Sequence, residues 1–143
     1  MNKRMIFWLR ASYWVGAVVD VVAGLIMLFP SLYGIFNQQT GFSATPAFLN
    51  VAWMGAPLMF GWTVLLLWAD RKPVERRTVL LITLIPIIGN AIDQVVSVYT
   101  GFYPLSVAIP QWFIQAILIT LFTFSYFNVS KTMSSSKSAD LKK

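Results

Sequence analysis

Residues Leu49–Arg77, LNVAWMGAPLMFGWTVLLLWADRKPVERR, join a long apolar segment to a short cluster of cations. From Leu49 to Trp68 every side chain is apolar except Asn50 and Thr63. As a helix, this segment rises about 30 Å, the thickness of the hydrocarbon core of a bilayer. Short cytoplasmic loops are enriched in Lys and Arg. The cluster therefore predicts a cytoplasmic turn whose cations contact lipid head groups: Arg71, Lys72, Arg76 and Arg77.

The composition of the chain is that of a membrane protein. Its 143 residues are 57% hydrophobic and 11% charged, whereas a soluble domain carries about 25% charged residues. The formal net charge of +6 comes from basic segments that flank apolar ones, where they meet the anionic lipids of the inner leaflet. We therefore predict a single transmembrane domain over residues 1–129, surrounded by the lipid bilayer, and no nucleic-acid partner.

Cysteine and histidine are both absent from the sequence. The first absence excludes disulfides, thiolate catalysis and cysteine-ligated zinc or iron–sulfur sites. The second removes the commonest general base, the commonest transition-metal ligand and the usual haem ligand. No catalytic residue, metal site or cofactor is predicted, and an enzyme is the less favoured class of protein.

Apolar segments predict four spans, over about residues 11–29, 49–68, 78–98 and 109–127. Thr45 and Pro46 are a typical N-cap and first helical residue for the second span. Residues 30–48 and 99–104 contain no charged side chain and are predicted as external loops. Residues 130–143 are rich in Ser and Lys and lack apolar periodicity, which predicts a disordered, basic cytoplasmic tail.

The distribution of positive charge sets the predicted topology. All eleven Lys and Arg residues lie before the first span, between the second and third, or after the fourth. Both termini are therefore predicted in the cytoplasm. Four spans in up-down-up-down order form an all-α, four-helix transmembrane bundle in the cell membrane.

Two acids, Asp20 and Asp93, lie within the predicted spans and away from their basic ends. Such residues are rare in membranes and usually face the interior of a bundle. Asp20 lies about 15 Å from the inner boundary, near the midplane, and Asp93 lies about 24 Å from it, in the outer leaflet. No Lys or Arg is predicted beside either acid, so each is expected to be neutral or to hold a cation.

Amide side chains accompany Asp93. Asn90 and Gln94 share one face of the third span with it, at about 100° of rotation per residue. Gln115 on the fourth span is level with Asp93, so we expect these two side chains to point into one cavity, with Asp20 about 9 Å lower. The candidate ligand- or proton-binding residues are Asp20, Asn90, Asp93, Gln94, Gln111 and Gln115.

Three functions are compatible with such a pocket. The favoured one is binding or transport of a small cation, a proton-coupled solute or an apolar amine, and a carrier of this size is expected to be a homodimer or larger. The first alternative is a non-catalytic scaffold whose neutral acids hydrogen-bond between helices. Gly16, Ala23 and Gly24 near Asp20 fit that close packing. The third is a membrane-embedded, lipid-modifying enzyme whose carboxylates serve as acid and base.

Two motifs, WADRKPVERR at residues 68–77 and YWVGA at residues 13–17, resemble short four-span proteins of bacterial and archaeal genomes. The resemblance extends over most of the chain up to about Phe127, and it implies an integral membrane protein without implying a particular activity. In size and in the single acid of its first span, the chain is also similar to the small multidrug resistance transporters. The aromatic–glycine pattern of that family is absent around Asp20.

Reporter fusions test the predicted topology. A reporter at Lys143 should label from the cytoplasmic side, and one inserted within residues 37–40 should label from the outside, because neither external loop carries a cation. A tail found outside would contradict the span count or the orientation.

Overall fold

The computed structural model describes residues 3–39 and 41–140. Four helices in this part of the chain are long and apolar enough to cross a membrane. The predicted all-α bundle and the predicted multi-pass membrane protein are therefore confirmed. The described residues form five α-helices: α1 (Lys3–Leu28), α2 (Pro30–Phe36), α3 (Pro46–Asp70), α4 (Thr78–Tyr99) and α5 (Leu105–Asp140).

The most extensive helix pair is α1 with α3. A Cβ built on Gly16 would lie 3.0 Å from Leu66 Cδ1. One built on Gly24 would lie 2.9 Å from the ring of Phe60. Positions further along α1 therefore meet positions earlier in α3, so the two helices run antiparallel. The glycines let the helices approach closely, which is how packing is achieved where no water is present to drive association.

Helix α5 also packs against α1, and α4 packs mainly against α5. The hydroxyl oxygens of Ser12 on α1 and Ser125 on α5 lie 2.8 Å apart. Helix α4 also makes a polar contact with α3, where Trp62 Nε1 donates to the Thr83 hydroxyl at 3.1 Å. The core of the bundle therefore lies between α1, α3 and α5, with α4 beside it.

An ion pair between the exposed Arg10 side chain and the buried Asp70 ties α1 to the end of α3. Arg10 donates from Nε and Nη2 to the two carboxylate oxygens of Asp70, both at 2.9 Å, and Asp70 is only 8% exposed. The Tyr13 hydroxyl lies 3.2 Å from the carbonyl oxygen of Pro73 and 3.0 Å from that of Arg76. These contacts hold the basic loop, residues 71–77, against α1.

The ends of the helices follow local chemistry. The Thr45 hydroxyl accepts a hydrogen bond from the backbone N–H of Phe48 at 3.2 Å, and Pro46 is the first residue of α3. The predicted N-cap is therefore confirmed. Gly101, which follows the end of α4, has a φ of 74°, a left-handed conformation that glycine adopts without a steric penalty.

Two predictions about segments outside the spans need correction. Residues 30–48, predicted as a loop, include the short helix α2, because the fixed φ of Pro30 suits a first helical position. Residues 130–140 of the predicted disordered tail continue α5 as helix. No Gly or Pro follows Pro110 in the sequence, and extending an existing helix needs no new nucleation. Residues 141–143 of the tail lie outside the described residues.

Replacing Gly16 with valine tests the close packing of α1. The added Cβ would lie 2.9 Å from Phe122 Cζ, so Gly16→Val should destabilise the protein by about 1–3 kcal/mol, as overpacking of a core does. The measurement is the thermal unfolding midpoint in detergent. Gly61→Val is the matched control, because a Cβ on Gly61 of α3 meets nothing within 4 Å. Equal losses in both variants would contradict the packing described.

Candidate functional site

Three glutamines place polar groups between α4 and α5, in the half of the bundle remote from the basic loop. Gln94 on α4 is 5% exposed and Gln115 on α5 is 7% exposed. The Nε2 group of Gln94 donates to Oε1 of Gln111, which precedes Gln115 by about one helical turn. The structure thus brings together three of the predicted residues, and we call Gln94, Gln111 and Gln115 the glutamine layer.

Several buried polar atoms have no hydrogen-bond partner. An amide oxygen can only accept a hydrogen bond or bind a cation, and lipid tails offer no substitute partner for a polar group. The interior of the bundle is therefore rich in unsatisfied acceptors. Within the described residues, the unsatisfied acceptors are Asp20 Oδ2, Gln94 Oε1 and Gln115 Oε1, and Trp112 Nε1 is a buried donor without a partner.

Asp20 lies on the packed face of α1, which also carries the buried residues Tyr13 and Gly16. Its side chain is half-buried, with Oδ2 fully buried. The ring of Phe122 lies over Gly16. From that contact Asp20 lies about 6 Å closer to the end of the bundle remote from the basic loop. Gln115, which precedes Phe122 on the antiparallel helix α5, lies about 10 Å closer to the same end. In height, the carboxyl group therefore lies within about one helical turn of Gln115 and about 10 Å from Gln111.

Asn90 and Asp93 lie apart from this layer. Both are exposed, whereas Gln94, the residue after Asp93, is buried. Helix α4 is rotated about its axis so that Thr83 and Gln94 face its neighbours, and successive residues differ by about 100°. The prediction that Asp93 and Gln115 share one cavity is therefore wrong, because their side chains have different surroundings.

An aromatic cluster lies at the end of the bundle remote from the basic loop. The ring of Tyr33 on α2 packs against Phe42 and Phe48, with ring centroids 5.0 and 4.7 Å away. Its hydroxyl is hydrogen-bonded to that of Tyr103 in the turn between α4 and α5. Burial raises the pKa of the Tyr103 hydroxyl above its ordinary value, and the hydrogen bond to Tyr33 raises it further. Tyr103 is therefore protonated at physiological pH.

The four cations predicted to contact lipid head groups differ in their surroundings. Arg71 and Lys72 are exposed. The Arg76 guanidinium stacks over the ring of Trp68, 3.4 Å from its centroid, and Arg77 donates to a hydroxyl of α5 at 3.1 Å. Arg76 and Arg77 thus hold the basic loop on α3 and α5. Contact with head groups stays a prediction for all four.

The ion pair of Arg10 and Asp70 was not predicted from the sequence. The two residues are 60 positions apart, and in the sequence each is only a charged residue beside an apolar span. The signal that could have found the pair is their common height, because both residues lie at the basic ends of adjacent antiparallel spans.

No group of three or more His, Cys, Asp or Glu side chains in the described part of the chain could hold a metal ion. No family model, curated protein or solved structure matches the chain. The resemblance to short four-span prokaryotic proteins therefore stays a prediction. Only the geometry of the residues bears on the function.

Two substitutions separate a ligand-binding layer from one that only holds helices together. Gln115→Met removes a buried oxygen that has no partner, so the ligand-free protein should keep or raise its unfolding midpoint. Gln94→Met removes the hydrogen bond to Gln111 and should lower stability by about 0.5–1.5 kcal/mol. The measurement is thermal unfolding in detergent, with equal protein and lipid content. A large loss in Gln115→Met would indicate that this side chain is a structural contact.

Proposed function

We propose that this protein binds, and in a larger assembly transports, a small cation or a protonated amine in the interior of its bundle. The observation that carries the proposal is the set of buried oxygens without a hydrogen-bond partner: Asp20 Oδ2, Gln94 Oε1 and Gln115 Oε1. A membrane interior that exposes acceptors and few donors suits a ligand that brings donors or positive charge.

The carboxyl group of Asp20 supplies the charge of the proposed site. An ionised carboxylate in the bilayer is costly unless a cation accompanies it, and no positively charged side chain of the described residues is hydrogen-bonded to Asp20 Oδ2. A bound cation would balance the carboxylate, and a bound proton would neutralise it. Exchange between these two states couples cation binding to proton release, which is the elementary step of a proton-linked carrier.

Two carbonyl oxygens that lack a helical donor belong to exposed residues of α3 and α4 and lie outside the proposed site. Pro57 lies inside α3 and Pro86 inside α4. Because proline has no N–H, the carbonyl oxygens of Trp53 and Ile82 lack their usual helical donors. The proposed ligands are therefore the carboxylate and amide oxygens, which hard cations accept.

The proposal includes the orientation and location of the protein. The antiparallel contacts of α1 with α3 and α5 support an up-down-up-down order of spans, and the basic loop supports cytoplasmic termini in the cell membrane by the positive-inside rule. A carrier would be a homodimer or larger, because one bundle whose helices pack at glycines leaves little room for a pathway.

A scaffold function is the second candidate, and one observation favours it. Asp20 is flanked on its own helix face by Gly16 and Gly24, which contact Phe122 and Phe60 closely. Tight packing of this kind leaves less space for a ligand and suits a helix whose role is to associate with other helices.

Asp20→Asn distinguishes the two candidates. Asparagine keeps an oxygen acceptor but loses the charge, so binding of a cation should weaken by at least about tenfold, while the fold is retained. The binding measurement is the shift in thermal unfolding midpoint with sodium, potassium or methylammonium chloride, each against choline chloride at equal ionic strength. The transport measurement is uptake into liposomes under an imposed pH gradient.

Glu75→Gln is the matched control for this experiment. It also removes one negative charge, but from an exposed side chain of the basic loop. We expect the control to keep the cation-dependent shift and the Asp20→Asn variant to lose it. No cation-dependent shift in the unmodified protein, or an unchanged shift in Asp20→Asn, would reject the site and leave the scaffold function.

A further inference from the structure

Helix α4 presents an exposed polar face inside its predicted span. Asn90 and Asp93 are both exposed. Asp93 precedes the end of α4 at Tyr99 by six residues, which places it about 9 Å inside the span. At that depth lipid tails surround an uncovered side chain, and a carboxyl or amide group there is costly without a hydrogen-bond partner. The bilayer therefore requires some other surface against this face.

The same face allows another helix to come close. A Cβ built on Gly89 would meet nothing within 4 Å, so no residue of its own chain covers this position. Gly89 lies one turn before Asp93, on the same side of α4. Ile82 and Val96, further along this side, are exposed apolar residues. A small residue flanked by apolar ones is the usual contact point of helices that cross in a membrane.

The polar groups of this face are complementary to themselves. A neutral carboxyl group donates one hydrogen bond and accepts another, and an amide group does the same. Asn90 and Asp93 lie on one turn of α4. About a two-fold axis along the membrane normal, Asp93 of each copy would meet Asn90 of the other, and all four groups would be satisfied. Such an isologous contact needs no second kind of protein.

We propose that α4 forms a homodimer interface with α4 of a second copy, centred on Gly89 and Asp93. This assigns to Asp93 a contact between subunits instead of a place in the ligand site of one subunit. The assignment follows from the exposure of Asn90 and Asp93 at membrane depth and from the open space at Gly89. It does not depend on what Asp20 or the glutamine layer binds.

Cysteine cross-linking in native membranes tests the interface, and the chain has no cysteine of its own. Single cysteines at Ile82 and Val96 flank the proposed contact, and a short bis-maleimide should join two copies of either variant. Val64→Cys on α3 and Ile117→Cys on α5 are matched controls, because both residues are exposed apolar side chains of other helices. Dimers from the α4 variants alone are expected. Equal cross-linking at all four positions, or none at α4, would overturn the proposal.

Substitution of Asp93 tests the chemistry of the contact. Asp93→Leu should raise the dimer dissociation constant in detergent by about tenfold, because both symmetric Asp93–Asn90 contacts are lost. Asp93→Asn should keep most of the affinity, since an amide can still donate and accept. If Asp93→Leu fails to fold, a single cysteine at position 93 decides the matter. Labelling of Asp93→Cys by a water-soluble maleimide from outside the cell would show an aqueous surface and overturn the proposal.

Discussion

The close approach of α1 to its neighbours is the constraint on which the rest of the structure depends. Lipid tails are as apolar as leucine, so helices in a bilayer associate through packing and hydrogen bonds. Helix α1 carries Gly16 under the Phe122 ring and Gly24 under the Phe60 ring. A single helix face thus receives side chains from both α3 and α5. These contacts set the height and rotation of all three helices relative to one another.

Helix α4 lies outside these close contacts of α1 with α3 and α5, so it is held to the bundle along one side only. It packs mainly against α5, and its side-chain hydrogen bonds to other helices are those of Thr83 with Trp62 and of Gln94 with Gln111. Most of its remaining surface is exposed and apolar. A helix fixed along one side can use its other side for contacts outside the bundle.

The sequence was sufficient for the number of spans, because length and hydropathy alone distinguish a segment that crosses a bilayer. It was also sufficient for the cap at Thr45, where the chemistry is local. It was not sufficient for the rotation of α4. Apolar residues surround that helix on nearly every side, so periodicity does not decide whether Asp93 or Gln94 faces inward. The sequence was likewise not sufficient for the pairing of Arg10 with Asp70, because that pairing depends on which helices are neighbours.

Three acidic residues of the helices, Asp70, Asp93 and Asp20, differ in how their carboxyl groups are accommodated. Asp70 is buried and accepts hydrogen bonds from Arg10, at 2.9 Å, and from Trp14 Nε1, at 3.3 Å. This is how a structural acid is accommodated, because a buried charge needs a hydrogen-bonded partner of opposite sign. Asp93 is exposed on the surface of α4, where the proposed second copy would cover it. Asp20 has neither arrangement, since its Oδ2 atom is buried and has no hydrogen-bond partner. The unpaired oxygen of Asp20 is therefore the observation on which the proposed proton or cation site rests.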